Sequence, residues 1–165
     1  MKTITRSNIY LPMAAMILTA ALAVPAAAKE QVPFKGTLQG LDVHLGMPSP
    51  GIGLLGTSGT GIGAHVGQFS FTQESTVNLA NGTLTGSGHW IAANGDSIDT
   101  TFVGFGGPAD TPDIFKITEI HNITGGTGRF AGARGNFTME RLESLVTSVT
   151  SGSFRGTITP AAAAH

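Results

Sequence analysis

The run Gly125-Gly126-Thr127-Gly128-Arg129-Phe130-Ala131-Gly132-Ala133-Arg134-Gly135 constrains the fold of this chain more than any other stretch. Glycine at this density loses too much backbone entropy to sustain a helix, yet it supplies the positive φ and close approach that a corner between two strands requires. The surrounding sequence agrees. Helical period fails over most of the length, whereas short runs alternating at period 2 recur between Gly, Asn and Asp. Strands are expected near residues 33–44, 59–66, 68–78, 83–93, 97–106, 113–123, 132–142 and 149–158.

The junctions carry turn chemistry. Asn81-Gly82 and Asn94-Gly95-Asp96 tolerate the positive φ of tight hairpins, so neighbouring strands pair antiparallel. No helix is available to carry a parallel crossover, and eight such strands close most readily into an all-β, up-and-down antiparallel barrel without exposed edges. One face is apolar: Phe69 and Phe71 oppose Ser70 and Thr72, Leu84, Trp90 and Ala92 oppose Thr85, Ser87 and His89, and Phe137 and Met139 oppose Asn136 and Thr138. In the first strand Phe34 and Leu38 share one parity and Leu41, Val43 and Leu45 the other, which predicts a bulge near Gly40. Ile91, Phe102 and Ile120 fall on the outward parity, and their apolar surface is better covered than exposed, which favours self-assembly.

Residues 1–28 read as a signal peptide: Lys2 and Arg6 precede an apolar run from Ile9 to Val24, and Ala26-Ala27-Ala28 fits a cleavage site. The run is short for a membrane span. Residues 29–165 are then a single barrel domain, secreted or periplasmic, with no stable membrane insertion, and the alanine-rich leader has a bacterial character. That segment keeps seven Lys/Arg against ten Asp/Glu, a formal net charge of −3 without runs of either sign, which argues against a nucleic-acid partner. The chain has no cysteine, so disulfides and thiol chemistry are excluded.

The glycine-rich segment resembles the Gly-Gly-Thr-Gly-x-Phe-x-x-Ala-Arg-Gly signature of dirigent proteins and of the related allene oxide cyclase barrels. Ala92-Ala93-Asn94-Gly95-Asp96, followed further on by that segment, is similar to small secreted bacterial members of the same superfamily. The resemblance implies an eight-stranded barrel, a homotrimer, and a partly apolar cavity at one mouth. Dirigent proteins steer phenolic intermediates and allene oxide cyclases close a fatty-acid epoxide. Of their functional positions only Arg134, inside the matched Ala-Arg-Gly, carries over.

Gly51-Ile52-Gly53-Leu54-Leu55-Gly56 has the spacing of a dinucleotide fingerprint but leads into Thr57-Ser58-Gly59-Thr60-Gly61 and not into a helix, so it reads as a flexible loop. The whole stretch Gly46–Gly61, with Met47, Ile52, Leu54 and Leu55, is long for a hairpin connection and fits a lid over a barrel mouth, a disordered loop or packing on the outer wall equally well. No histidine spacing suits a metal, and neither a metal nor another cofactor is indicated. Glu119 and His121, at i and i+2, share a strand face with Phe115, Ile117 and Ile123, which would place an acid beside an imidazole in the cavity. The candidate catalytic residues are therefore Glu119, His121 and Arg134; the candidate ligand contacts are Trp90, Phe115 and Ile117. Two functions fit: an exported barrel that binds a small apolar or phenolic ligand or serves as a noncatalytic envelope protein, or a cyclase or isomerase working by acid–base catalysis.

Overall fold

The structure, a computed structural model, describes residues 30–159, so the expected leader lies outside the described residues. Eight strands follow in chain order: β1 (Val32–Ser49), β2 (Ile52–Gly63), β3 (Gly67–Asn78), β4 (Thr83–Ala92), β5 (Ser97–Pro108), β6 (Ile114–Gly126), β7 (Arg134–Ser144) and β8 (Val149–Thr159). Each pairs antiparallel with its chain neighbours, and β1 pairs with β8, so the sheet closes as an up-and-down barrel. Among the described residues no helix is long and apolar enough to cross a membrane.

The hairpins form where the turn chemistry directs them. Gly82 and Gly95 take φ of 71° and 87°, and their amides donate to the carbonyls of Asn78 and Ala92, each at 2.8 Å. In the glycine-rich corner a short 3-10 turn, η1 (Gly128–Phe130), links β6 to β7. Gly128 has a φ of 53°, and any Cβ there would collide with the Asp96 carboxylate. That approach lets Asp96 accept from the Arg129 amide at 3.3 Å, and the corner presses Phe130 into the barrel end.

Three expectations fail. The stretch 46–61 is neither a loop nor a lid: β1 and β2 run on to a turn at residues 50–51, with Ser49 opposite Ile52 and Leu55 opposite His44. Paired neighbours satisfy its backbone, and this overrides the glycine content from which a flexible loop was read. The bulge lies between His44 and Gly46, not near Gly40, so β1 keeps one parity from Phe34 through Leu38 to Asp42. Leu41, Val43 and Leu45 consequently point outward, each about half exposed. Phe102 is buried inside, while Val103 and Phe105 face out; only Ile91 and Ile120 lie outward as expected. Leu41 and Val43 yield the inward position to Asp42, which pairs with Arg141, whereas Phe102, expected outward, is drawn inside against His121, Leu84 and Ile117.

The barrel has two unlike halves. At the end formed by the 64–66, 93–96 and 127–133 connections, Phe34, Phe69, Phe71, Trp90, Phe137 and Phe154 interlock, with ring centroids 4.8–6.4 Å apart, and Phe130, Val66 and Ala133 close the end. Each large aromatic there removes well over a hundred Å² of apolar surface from water, about 3–5 kcal/mol of stability if cut to alanine. The opposite half faces the 50–51, 79–82, 109–113 and 145–148 turns, the mouth, and combines buried polar groups with a smaller apolar cluster of Leu84, Phe102 and Ile117.

Candidate functional site

Period-2 alternation places the site. On β6, Ile117, Glu119, His121 and Ile123 all point inward; on β7, Phe137, Met139, Arg141 and Glu143 do so; β1 contributes Asp42, β3 Gln73 and β5 Thr100. The carboxylates, the imidazole and the guanidinium thereby meet in the middle of the barrel, all at 6 % exposure or less.

Arg141 is the hub. Its Nη1 donates to Asp42 Oδ2 at 2.6 Å and to Thr150 Oγ1 at 3.2 Å, and its Nη2 and Nε donate to Glu119 Oε1 at 3.0 and 3.3 Å. Asp42 also accepts from the Thr57 hydroxyl. Glu119 Oε2 lies 3.3 Å from His121 Nε2 and accepts from Gln73 Nε2 at 3.4 Å. The arrangement fixes the tautomer: Nε2–H donates to the carboxylate, and Nδ1 accepts from Thr100 Oγ1 at 3.1 Å. The imidazole is held between Phe137, stacked at 4.5 Å and 10°, and Phe102 at 4.6 Å.

These surroundings set the charges. Burial works against ionised Glu119, but the His121 hydrogen bond and the Arg141 charge outweigh it, so its pKa falls below the usual carboxylate value. For His121 burial wins over the Glu119 contacts, and its pKa is lowered, so the ring is neutral at pH 7. Burial likewise opposes the Arg141 charge, yet Glu119 and Asp42 raise its pKa, and it stays protonated. Glu143, nearest the mouth, is raised to about 7 by burial and by the Asp42 carboxylate, with Arg141 pulling the other way.

Of the residues singled out in the sequence, the structure joins Glu119 and His121 and leaves the others apart. Phe115 and Ile117 lie toward the mouth, against Leu84, Phe102 and Val77. Trp90 sits in the aromatic half, with its ring 6.3 Å from His121. Arg134 is outside: its Nη1 donates to the Thr124 and Ala133 carbonyls at 2.6 and 2.8 Å and ties down the glycine-rich corner. The sequence reading missed Asp42, Gln73, Thr100, Arg141 and Glu143. Arg141 and Glu143 continue the parity of Phe137 and Met139, so the signal was present one turn of the pleat further on.

The outer wall carries two grooves. One, of about 1190 Å³, runs past Thr37, Gln39, Ile62, Ser70, Ile91 and Leu142. The other passes over Ser58, Thr72, Glu74 and Thr101, beside His89, whose Nδ1 lies 2.6 Å from Asp99 Oδ1. Neither lining includes His121 or Glu119, although the first touches Arg141 and the second Thr57, Gln73 and Thr100; the interior concentrates the perturbed ionisable groups.

No protein-family model and no curated protein matches this sequence. Among solved structures, the chain is similar to the pterocarpan synthase dirigent protein GePTS1, with a TM-score of 0.57 and 11 % identity over 86 % of this chain and 98 % of that one. At that identity the likeness concerns the backbone. This chain has the fold of a dirigent-like barrel.

Proposed function

We propose that this protein is an exported barrel that binds a small apolar or phenolic molecule in its mouth half, between the Arg141 network and the Phe115–Ile117 wall. The observation that carries this reading is the buried network itself. A buried ion pair stabilises a fold no better than apolar residues of the same size, so Asp42, Glu119 and Arg141 are poorly explained as filling. A barrel of eight strands has room either for side chains or for one small ligand, and here the large apolar cluster fills one half, while the mouth half combines a smaller apolar cluster with the polar network. The fold neighbour is a dirigent protein named for pterocarpan synthesis, which agrees with a phenolic guest. The test is native mass spectrometry of protein isolated from its own host: a copurifying small aromatic molecule lost on Ile117→Trp, which blocks the mouth half, supports the reading.

Catalysis as a cyclase or isomerase is a second reading, and Glu143 favours it. A carboxyl group that titrates near pH 7 at the mouth can both give and take a proton, whereas Glu119 and His121 already spend their polar atoms on one another, Arg141, Gln73 and Thr100. In this reading Glu143 handles the proton, and Glu119 and His121 hold the field around it. Turnover surviving Glu143→Gln would sink that assignment. Assembly as a homotrimer fits the outward Ile91, Val103, Phe105 and Ile120, which are 40–57 % exposed in the single chain.

A further inference from the structure

Two buried polar atoms have no hydrogen-bond partner among the described residues: Trp90 Nε1 and Gln73 Oε1. Leaving either unpaired costs about 1–3 kcal/mol, so a pair of them in one barrel interior calls for a reason. They share a neighbour. Gly88 is buried on the inner face of β4, and a Cβ built on it would lie 3.3 Å from Trp90 Nε1, 2.8 Å from Thr100 Oγ1 and 3.4 Å from Gln73 Cγ. An indole N–H, a threonine hydroxyl and the Gln73 side chain thus converge in close contact around Gly88, and an atom enters between them only if one of them moves. Gln73 is also the most loosely held member of the network, since its amide nitrogen makes only 3.4 Å contacts, to Glu119 and to the His121 ring. Its side chain can swing to admit an atom beside Gly88.

We infer that the position beside Gly88 seats a hydroxyl group of the bound ligand, held by Trp90 Nε1 and Gln73 Oε1. The inference rests on the interior-binding reading above and narrows its ligand class from apolar or phenolic to hydroxyl-bearing, with the hydroxyl placed at a named position. The donor inventory decides the chemistry: an indole N–H only donates and an amide oxygen only accepts, so the group between them must accept from one and donate to the other. A hydroxyl does both. A ketone or an ether satisfies Trp90 but turns a lone pair toward Gln73 Oε1, and a carboxylate adds repulsion from Glu119. Water has the same chemistry as an alcohol or phenol, and the experiment must separate them.

Trp90 is the only tryptophan, so its indole N–H gives a single signal in a proton–nitrogen correlation spectrum. The protein is titrated with 2-naphthol and, separately, with 2-methoxynaphthalene, which has the same rings but no hydroxyl proton. A seated hydroxyl moves the indole signal downfield with 2-naphthol alone and favours 2-naphthol by about tenfold in affinity. Trp90→Phe and Gln73→Leu should each erase that preference while still binding both compounds. Equal affinities with an unmoved indole signal overturn the hydroxyl seat and leave interior binding intact; binding of neither compound overturns interior binding itself. If the ligand-free protein shows a long-lived water beside the indole, that water must vanish at saturating 2-naphthol. Its persistence means that the seat belongs to water, and overturns the inference.

Discussion

Arg141 and Asp42 are 99 positions apart in sequence, on β7 and β1, yet their guanidinium and carboxylate meet at 2.6 Å, both almost fully buried. β8 lies between the two strands, and Thr150 on it also accepts from Arg141, so one cation joins three adjacent strands across the seam where the barrel closes. The same guanidinium reaches Glu119 on β6. The polar site is therefore built across the seam where the barrel closes.

Removing the hub should be severe. Arg141→Met leaves two buried carboxylates without a counter-charge, and the expected loss is about 3–5 kcal/mol in urea unfolding. Asp42→Asn and Glu119→Gln added to Arg141→Met should recover a large part of it, because the buried charges are then gone. A triple variant no more stable than Arg141→Met would refute this description of the network.

Stability should depend on Glu143 in the direction opposite to an ordinary paired carboxylate. Its pKa is raised to about 7 in the folded protein from 4.5 unfolded, so the contribution is fully present below pH 4.5 and is lost as pH rises through 7. Glu143→Gln should therefore lose less thermal stability than the parent does as pH rises from 4.5 through about 7. Parallel curves for the two proteins would contradict the burial of this carboxyl beside Asp42.

His121 behaves in the other sense. Its folded pKa lies below 6.5, so its contribution is present above that pH and is lost as pH falls through the lower folded value. Carbon–proton NMR of the ring should show a midpoint below 6.5, and Glu119→Gln should lower it further, since the carboxylate is what favours the imidazolium. A midpoint indifferent to residue 119 would separate the two groups.

The expected trimer has a concentration-dependent test. Sedimentation at micromolar concentration should give three chains per particle, and Ile120→Glu, which puts a charge on the outward face, should yield monomers with unchanged circular dichroism. A monomeric parent at high concentration would remove the assembly proposal.

Strand number, hairpin order and the apolar face of β3, β4 and β7 were legible because period 2 and Asn-Gly turns report local chemistry. The pairing of Glu119 with His121 was legible for the same reason. The placement of Leu41, Asp42 and Val43 was not legible. Hydrophobicity favoured the inward placement of Leu41 and Val43, but the partner that draws Asp42 inside stands on β7, and no local pattern reveals it. The length of β2 was hidden for a similar reason: its glycines weaken it alone, and only pairing with β1 and β3 makes it a strand.

The most direct test of the account is to map where an aromatic alcohol binds. With 2-naphthol added to the isotopically labelled protein, the account predicts that backbone amides of Gly86, Gly88 and Gly104, on strands whose inner faces line the mouth half, shift together with those of Ile117 and Glu143 and saturate along one curve. Shifts confined to the outer groove of Ile62, Ile91 and Leu142, with the interior amides unmoved, would contradict it.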